Sequence, residues 1–158
     1  HFPFLDNDQI CHCGKTGCLE TGASGSAIHR IFMEKLAGGR ASLLSDKYAD
    51  GKDITLDDIL NAVNEEDVLA IEVVEEIGTV LGRALAGLIN IFNPELVVIG
   101  GVVAKVQEYL LLPVKSAIQK HSLNMVNKDT SIKFSKLGEK AGPIGACMLS
   151  RSKLLGLM

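Results

Sequence analysis

Residues 93–101 read Asn93-Pro94-Glu95-Leu96-Val97-Val98-Ile99-Gly100-Gly101. Proline lacks the amide hydrogen a helix needs and disfavours helical geometry in the residue before it, so Asn93-Pro94 ends whatever helix precedes. Leu96 to Ile99 is a short apolar run, mostly β-branched, with no polar residue alternating through it. Such a run predicts a strand buried on both faces. The glycine pair turns the chain, and apolar spacing resumes over Val103 to Leu111. Strand, glycine turn and helix in that order predict an α/β fold.

Working upstream, one long helix is expected between a start at Asn64-Glu65-Glu66-Asp67 and about Asn90. Acidic residues suit the positive end of a helix dipole. Val68, Ile71, Val74, Ile77, Leu81, Leu85 and Leu88 form one apolar stripe, and Val73, Val80, Ala84 and Ile91 add a second. Two stripes predict a helix enclosed by neighbours. Its apolar stretch from Ile77 to Phe92 contains Arg83 and is shorter than the roughly 20 residues that cross a bilayer. Thr55 and Asp58 form a capping-box pattern for a short helix to about Val63. Ser24 or Ser26 can cap another through Leu36, stopped by Gly38-Gly39. Residues 40–53 read as a polar surface excursion.

Downstream, Pro113 is expected to begin a helix to about His121, Ile132 to Ser135 alternates like a strand, and Gly142 to Leu155 reads as a closing helix. Cys147 lies in the apolar run Ile144 to Leu149 and is expected to be a buried small hydrophobe. His29 and His121 stand alone on helices and read as structural or solvated. No repeat or linker divides the chain, so residues 1–158 are expected to be one domain.

The chain has 158 residues, 47% apolar and 22% charged, which is enough for a full core and excludes disorder, collagen and coiled coil. A net charge of −3 argues against this segment gripping nucleic acid by itself, and five Phe, two Tyr and no Trp argue against a base-stacking platform. No targeting segment is recognisable. The chain opens without Met, so the expectation is part of a longer protein.

The chemistry concentrates in Cys11-His12-Cys13-Gly14-Lys15-Thr16-Gly17-Cys18. Three thiolates so close can converge on one tetrahedral ion if Gly14 and Gly17 let the backbone fold back. His12, between two cysteines, turns to the same ion with difficulty, whereas His1 is free to reach. A closed set of three cysteines and one histidine is a structural zinc site; the alternative is three unmetallated thiols in a loop. Clustered cysteines beside an ample core favour a reduced, cytoplasmic protein over a disulfide framework. Glu20 can accept hydrogen bonds from a ligand's hydroxyls if the loop is rigid, and otherwise is a solvated acid. Backbone amides at Gly100-Gly101 can face phosphate or a nucleoside, although glycine also serves turn geometry alone.

Together these stretches resemble the ROK family of sugar kinases and sugar-responsive repressors. Cys11-x-Cys13-Gly14-x-x-Gly17-Cys18-Leu19-Glu20 resembles the family's zinc signature, with His1 at the spacing of its histidine ligand. Asn93 to Gly101 resembles the nucleotide-side strand and turn, and Ala141-Gly142-Pro143-Ile144-Gly145-Ala146 the C-terminal helix. The resemblance covers essentially the whole chain. It implies an α/β, RNase H-like (actin-like ATPase) fold, of which this chain is the C-terminal lobe, with a zinc-stapled loop at 1–20 and the lobe proper at 21–158. The other lobe lies upstream, outside this chain. A sugar or sugar phosphate sits between the lobes. On this resemblance His1, Cys11, Cys13 and Cys18 bind structural zinc, His1 and Glu20 contact the sugar, and Gly100 and Gly101 form the nucleotide side.

Two departures qualify the resemblance. The kinases' catalytic aspartate and phosphate loop lie upstream of the zinc motif and outside these residues, so the chain alone is no complete kinase. Kinase members also tend to show a third glycine where Val102 stands. The expectation is the sugar-sensing part of a cytoplasmic, homo-oligomeric regulator that meets DNA through an upstream domain. The alternative is part of an ATP- and Mg-dependent sugar kinase. No membrane partner is expected.

Overall fold

The computed structural model of the chain describes residues 1–156. A knuckled loop ends in a 3₁₀ turn, Leu19–Thr21, and is followed by α1 (Gly25–Ala37), α2 (Ser45–Ala49), α3 (Leu56–Asn64) and α4 (Val68–Phe92). Then come β1 (Leu96–Ile99), α5 (Gln107–His121), α6 (Asn124–Asn127), β2 (Ser131–Phe134) and α7 (Ala141–Leu154).

Side-chain caps open α1, α3 and α4. The Ser24 hydroxyl accepts the Ala27 amide at 3.2 Å and opens α1, which buries Ala27, Ile28, Phe32 and Leu36. The capping box at α3 is complete: the Asp58 amide donates to the Thr55 hydroxyl, and the Thr55 amide donates to the Asp58 carboxylate at 2.7 Å. Helix α4 begins at Val68 rather than Asn64. Glu66 has φ 61°, a left-handed corner that cannot belong to a helix. The cap is Asp67, which is buried and accepts the Ala70 amide at 2.7 Å. It also accepts the Leu43 amide, tying the excursion at residues 40–53 to the helix end.

The core lies among α1, α3, α4 and α5, with Ile28, Phe32, Ile59, Leu60, Leu69, Val73, Ile77, Leu110, Val114 and Ile118 fully enclosed. The expected enclosure of the long helix is corrected: one face is buried from Leu69 to Ile89, while Val68, Glu75, Glu76, Thr79, Arg83, Leu88 and Ile91 are exposed. Helices α4 and α5 approach very closely. A Cβ placed on Gly82 would lie 2.5 Å from the Val114 carbonyl oxygen. Residues 107–121 form one helix with Pro113 inside it, and Val102–Val106 is a 3₁₀ turn. This corrects the expected break at Pro113. A proline removes one intrahelical bond. Here its ring seats over Gly78, where a Cβ would lie 2.8 Å from the ring Cγ, and that packing fits the ring inside the helix.

β1 and β2 pair in parallel, Leu96 opposite Ser131 through Ile99 opposite Phe134. Ile99 is buried against the helices, but Leu96 and Val98 are 48% and 56% exposed. The expected burial of both faces is therefore corrected, because among the described residues helices cover one face of the sheet alone. Helix α7 buries none of its residues, and its principal contact is the 3₁₀ turn just before it. Cys147 is accordingly exposed, not a core residue. Among the described residues no helix is long and apolar enough to cross a membrane.

Candidate functional site

The first twenty-two residues are tied together by their own backbone. Ile10 bridges Thr16 and Pro3 bridges Cys18, both antiparallel. The Cys11 amide donates to the Lys15 carbonyl and the Gly14 amide to the Cys11 carbonyl, each at 2.8 Å. Gly14 has φ 82° and Gly17 φ 67°, the left-handed region that glycine enters without steric cost. At Gly17 there is also no room: a Cβ would lie 2.3 Å from the Leu5 carbonyl oxygen. That oxygen sits close because the Leu5 and Phe4 amides both donate to the Gly17 carbonyl, at 2.9 and 2.8 Å.

This folding brings His1 and three thiols together. The ligand atoms of His1, Cys11, Cys13 and Cys18 all lie within 4.8 Å of one another. His1 Nδ1 is 3.2 Å from Cys11 Sγ, and the sulfurs of Cys13 and Cys18 are 3.6 Å apart. All of these cysteines are free. Two sulfurs at about 2.3 Å from a tetrahedral ion would stand about 3.8 Å apart, so the spacing and the N/S donor set both fit zinc. His12 is exposed and outside the set.

The thiols differ in proton affinity. A hydrogen bond from the Lys15 amide lowers the pKa of Cys13, stabilising its thiolate. Burial pushes Cys18 up to about 11, with the neighbouring sulfurs adding to the rise.

Glu20 is the middle residue of the 3₁₀ turn Leu19–Thr21, two positions after Cys18, and is half-buried. With Gln9, His12, Ser26 and Arg30 it lines a cleft of about 150 Å³ between the knuckle and the start of α1. His1 is not a wall of that cleft; the structure brings His1 to the thiols and Glu20 to the cleft. Arg30 went unremarked in the sequence, although its spacing to Glu34 marks an i, i+4 ion pair on α1.

At the ends of the two strands a second cleft of about 190 Å³ is lined by Gly101, Val102, Lys105, Ser135, Lys136 and Gly138. The carboxyl ends of parallel strands are the usual place for ligands in such sheets. Gly101 has φ 79°, which makes it the turning residue; Gly100 is not in the wall. Val102 packs its Cγ1 beside Gly25, where a Cβ would be only 2.9 Å away. The glycine at the head of α1 thus makes room for Val102.

A family model described as "ROK family" matches residues 1–153. A glucokinase from Halalkalibacterium halodurans is 38% identical over 143 residues, 90% of this chain and 43% of the relative. An N-acetylglucosamine repressor from Escherichia coli O6:H1 is 32% identical over 150 residues, 95% of this chain and 36% of the relative. Among solved structures, a ROK family glucokinase from Streptomyces griseus, in complex with glucose and AMPPNP, superposes with a TM-score of 0.82 at 29% identity. That match covers 96% of this chain and 50% of the other. The chain thus spans half or less of the length of each of these proteins.

Proposed function

This chain belongs to the ROK family, and from that premise we propose that it is the sugar-sensing part of a ROK transcriptional regulator, carrying structural zinc. The observation that carries the reading is the placement of Glu20, two residues beyond a convergent set of one histidine and three cysteines and on the wall of a cleft. Bound by His1, Cys11, Cys13 and Cys18, zinc supplies a rigid tetrahedral node with no open position for chemistry. Everything else falls to the chain's own groups. An ionised Glu20 accepts hydrogen bonds only, which suits sugar hydroxyls. His1 turns Nδ1 toward the thiols, and because it does not line the cleft of Glu20, its contact with the sugar rests on family likeness alone. A knuckle fixed by metal limits how far Glu20 can drift from its hydroxyl.

In this reading the protein is cytoplasmic and homo-oligomeric, and meets DNA through a part outside this chain. Sugar shifts the balance between DNA-competent and DNA-incompetent states by binding one of them more tightly. The regulator is preferred to the kinase on Val102, which stands on the cleft wall after Gly101 where kinase members tend to show a third glycine.

A second reading is a sugar kinase. Lys105 and Lys136 on the Gly101 cleft, together with the 38% identity to a glucokinase, favour it. That reading needs a catalytic base and a phosphate loop from residues outside this chain, with Mg²⁺ on the nucleotide. One experiment on the full-length protein separates the two. Glucose, N-acetylglucosamine and their 6-phosphates are titrated calorimetrically, and ATP turnover and DNA release are followed with the best binder. Sugar binding with DNA release and no turnover supports the regulator. Sugar-dependent ATP consumption overturns it in favour of the kinase, and no binding of any of the four sugars overturns both.

A further inference from the structure

We propose that Arg30 is a positioning residue for Glu20, clamping the turn that presents it. The proposal rests on the reading of Glu20 as a sugar ligand. The turn Leu19–Thr21 is only three residues long, and its first anchor is Cys18, which bridges Pro3. The Thr21 amide and hydroxyl both donate to the Cys18 carbonyl, at 2.9 and 2.8 Å. The Leu19 amide donates to the Phe2 carbonyl at 3.2 Å, and the Gly22 and Ala23 amides donate to the Leu19 carbonyl at 3.0 and 2.9 Å; all of these bonds lie within residues 1–23, and none ties the turn to the body of a helix. A second anchor is needed to fix the direction of the Glu20 side chain.

Arg30 supplies that anchor from α1. Its Nη2 donates to the Thr21 carbonyl at 2.9 Å, and its Nη1 donates to both carboxylate oxygens of Glu34, at 2.9 and 3.1 Å. The planar guanidinium is therefore held by the helix on one side and holds the turn on the other. An i, i+4 ion pair by itself is a common helix-surface feature of small weight. What sets this one apart is the bond to Thr21, which joins α1 to the element carrying Glu20. Arg30 and Glu20 also line the same cleft. A lysine, with one nitrogen on a flexible stem, cannot reproduce the fork.

The test is a double-mutant cycle in the full-length, zinc-loaded protein, read by titration with glucose, N-acetylglucosamine and their 6-phosphates. Arg30→Gln is expected to weaken the best binder about five- to tenfold, the scale of one misaimed hydrogen bond to a charged group. Zinc content and thermal midpoint should stay near wild type, and Arg30→Lys should recover part of the loss. In a Glu20→Gln background the same change should add nothing, because no carboxylate remains to be aimed. An arginine with a merely structural role would cost as much there as in the wild type. Additive losses, or wild-type affinity in Arg30→Gln, overturn the proposal while leaving Glu20 in place. Wild-type affinity in Glu20→Gln, or no binding of any of the four sugars, overturns the parent reading and this one with it. Should Arg30→Gln fold poorly, Glu34→Gln loosens the guanidinium without removing it and carries the same cycle.

Discussion

Cys13 and Cys18 lie five residues apart with their sulfurs 3.6 Å from one another, yet the surrounding chain treats them differently. The Lys15 amide favours the thiolate of Cys13, while burial disfavours that of Cys18. A cation drawing both into one coordination shell must displace the Cys18 proton, so folding of the knuckle and metal uptake are coupled. Purified protein is expected to contain about one zinc per chain by elemental analysis. Cys13→Ser should remove it and loosen residues 1–22; a metal-free wild type with an intact knuckle contradicts this. Asp58 shows a different electrostatic device. The Lys47 ammonium, 2.8 Å away, and the Thr55 hydroxyl and amide hold its carboxyl well below the usual carboxylate range. In the unfolded chain an aspartate protonates near pH ~3.9, and so takes its proton before the folded state does. The stability Asp58 contributes is therefore present above about pH 5 and is lost progressively as the pH falls below that. The gap between the urea midpoints of wild type and Asp58→Asn should be constant above about pH 5 and narrow as the pH falls toward about 3, and a pH-independent gap would contradict the assignment.

At the scale of elements, the packing of α4 on α5 decides the core, and two glycines on one helix give it opposite signs. A Cβ on Gly82 would meet the Val114 carbonyl at 2.5 Å and the Ala117 Cβ at 2.7 Å, while one on Gly87 would meet nothing within 4 Å. Gly82→Ala should be net destabilising, by up to about 2 kcal/mol, since an overpacking cost of about 1–3 kcal/mol is set against about 1 kcal/mol gained in helix propensity. Gly87→Ala should stabilise by up to about 1 kcal/mol. Denaturant midpoints check both; equal shifts of the same sign would contradict the packing. The helices with a cap and an apolar stripe were legible in the sequence, because those signals are local; α5 was read as two helices, and α2 inside residues 40–53 was not foreseen. Ser24 and the Thr55–Asp58 box mark their helices correctly. What was not legible depends on partners far along the chain. The Pro113 ring fits against Gly78 on α4, and the Asp67 carboxylate that caps α4 also accepts the amide of Leu43, 24 residues earlier. The apolar run of β1 looked fully enclosed, and only the three-dimensional arrangement reveals Leu96 and Val98 exposed. The candidate site divides in the same way. Three cysteines and His1 could be found by spacing and Glu20 only through the family resemblance, whereas Arg30 gains its meaning from a bond to a carbonyl nine residues earlier.

For the molecule as a whole, the α1 start joins both clefts. Ser26 and Arg30 line the cleft of Glu20, while Gly25 receives Val102 from the turn after β1. Each cleft is smaller than the roughly 300–1,000 Å³ of ordinary small-molecule sites, so the account needs further walls from the full-length protein. Both clefts matter less than the proposed presentation of Glu20 to a sugar by a metal-held knuckle. That presentation is tested most directly by calorimetric titration of the full-length, zinc-loaded protein with a panel of hexoses, amino sugars and their phosphates, beside Glu20→Gln. The account predicts saturable micromolar-to-millimolar binding of at least one sugar by the wild type, weakened at least about tenfold in the variant, as expected when a charged acceptor is lost. Equal binding by both proteins, or none by either, would contradict it.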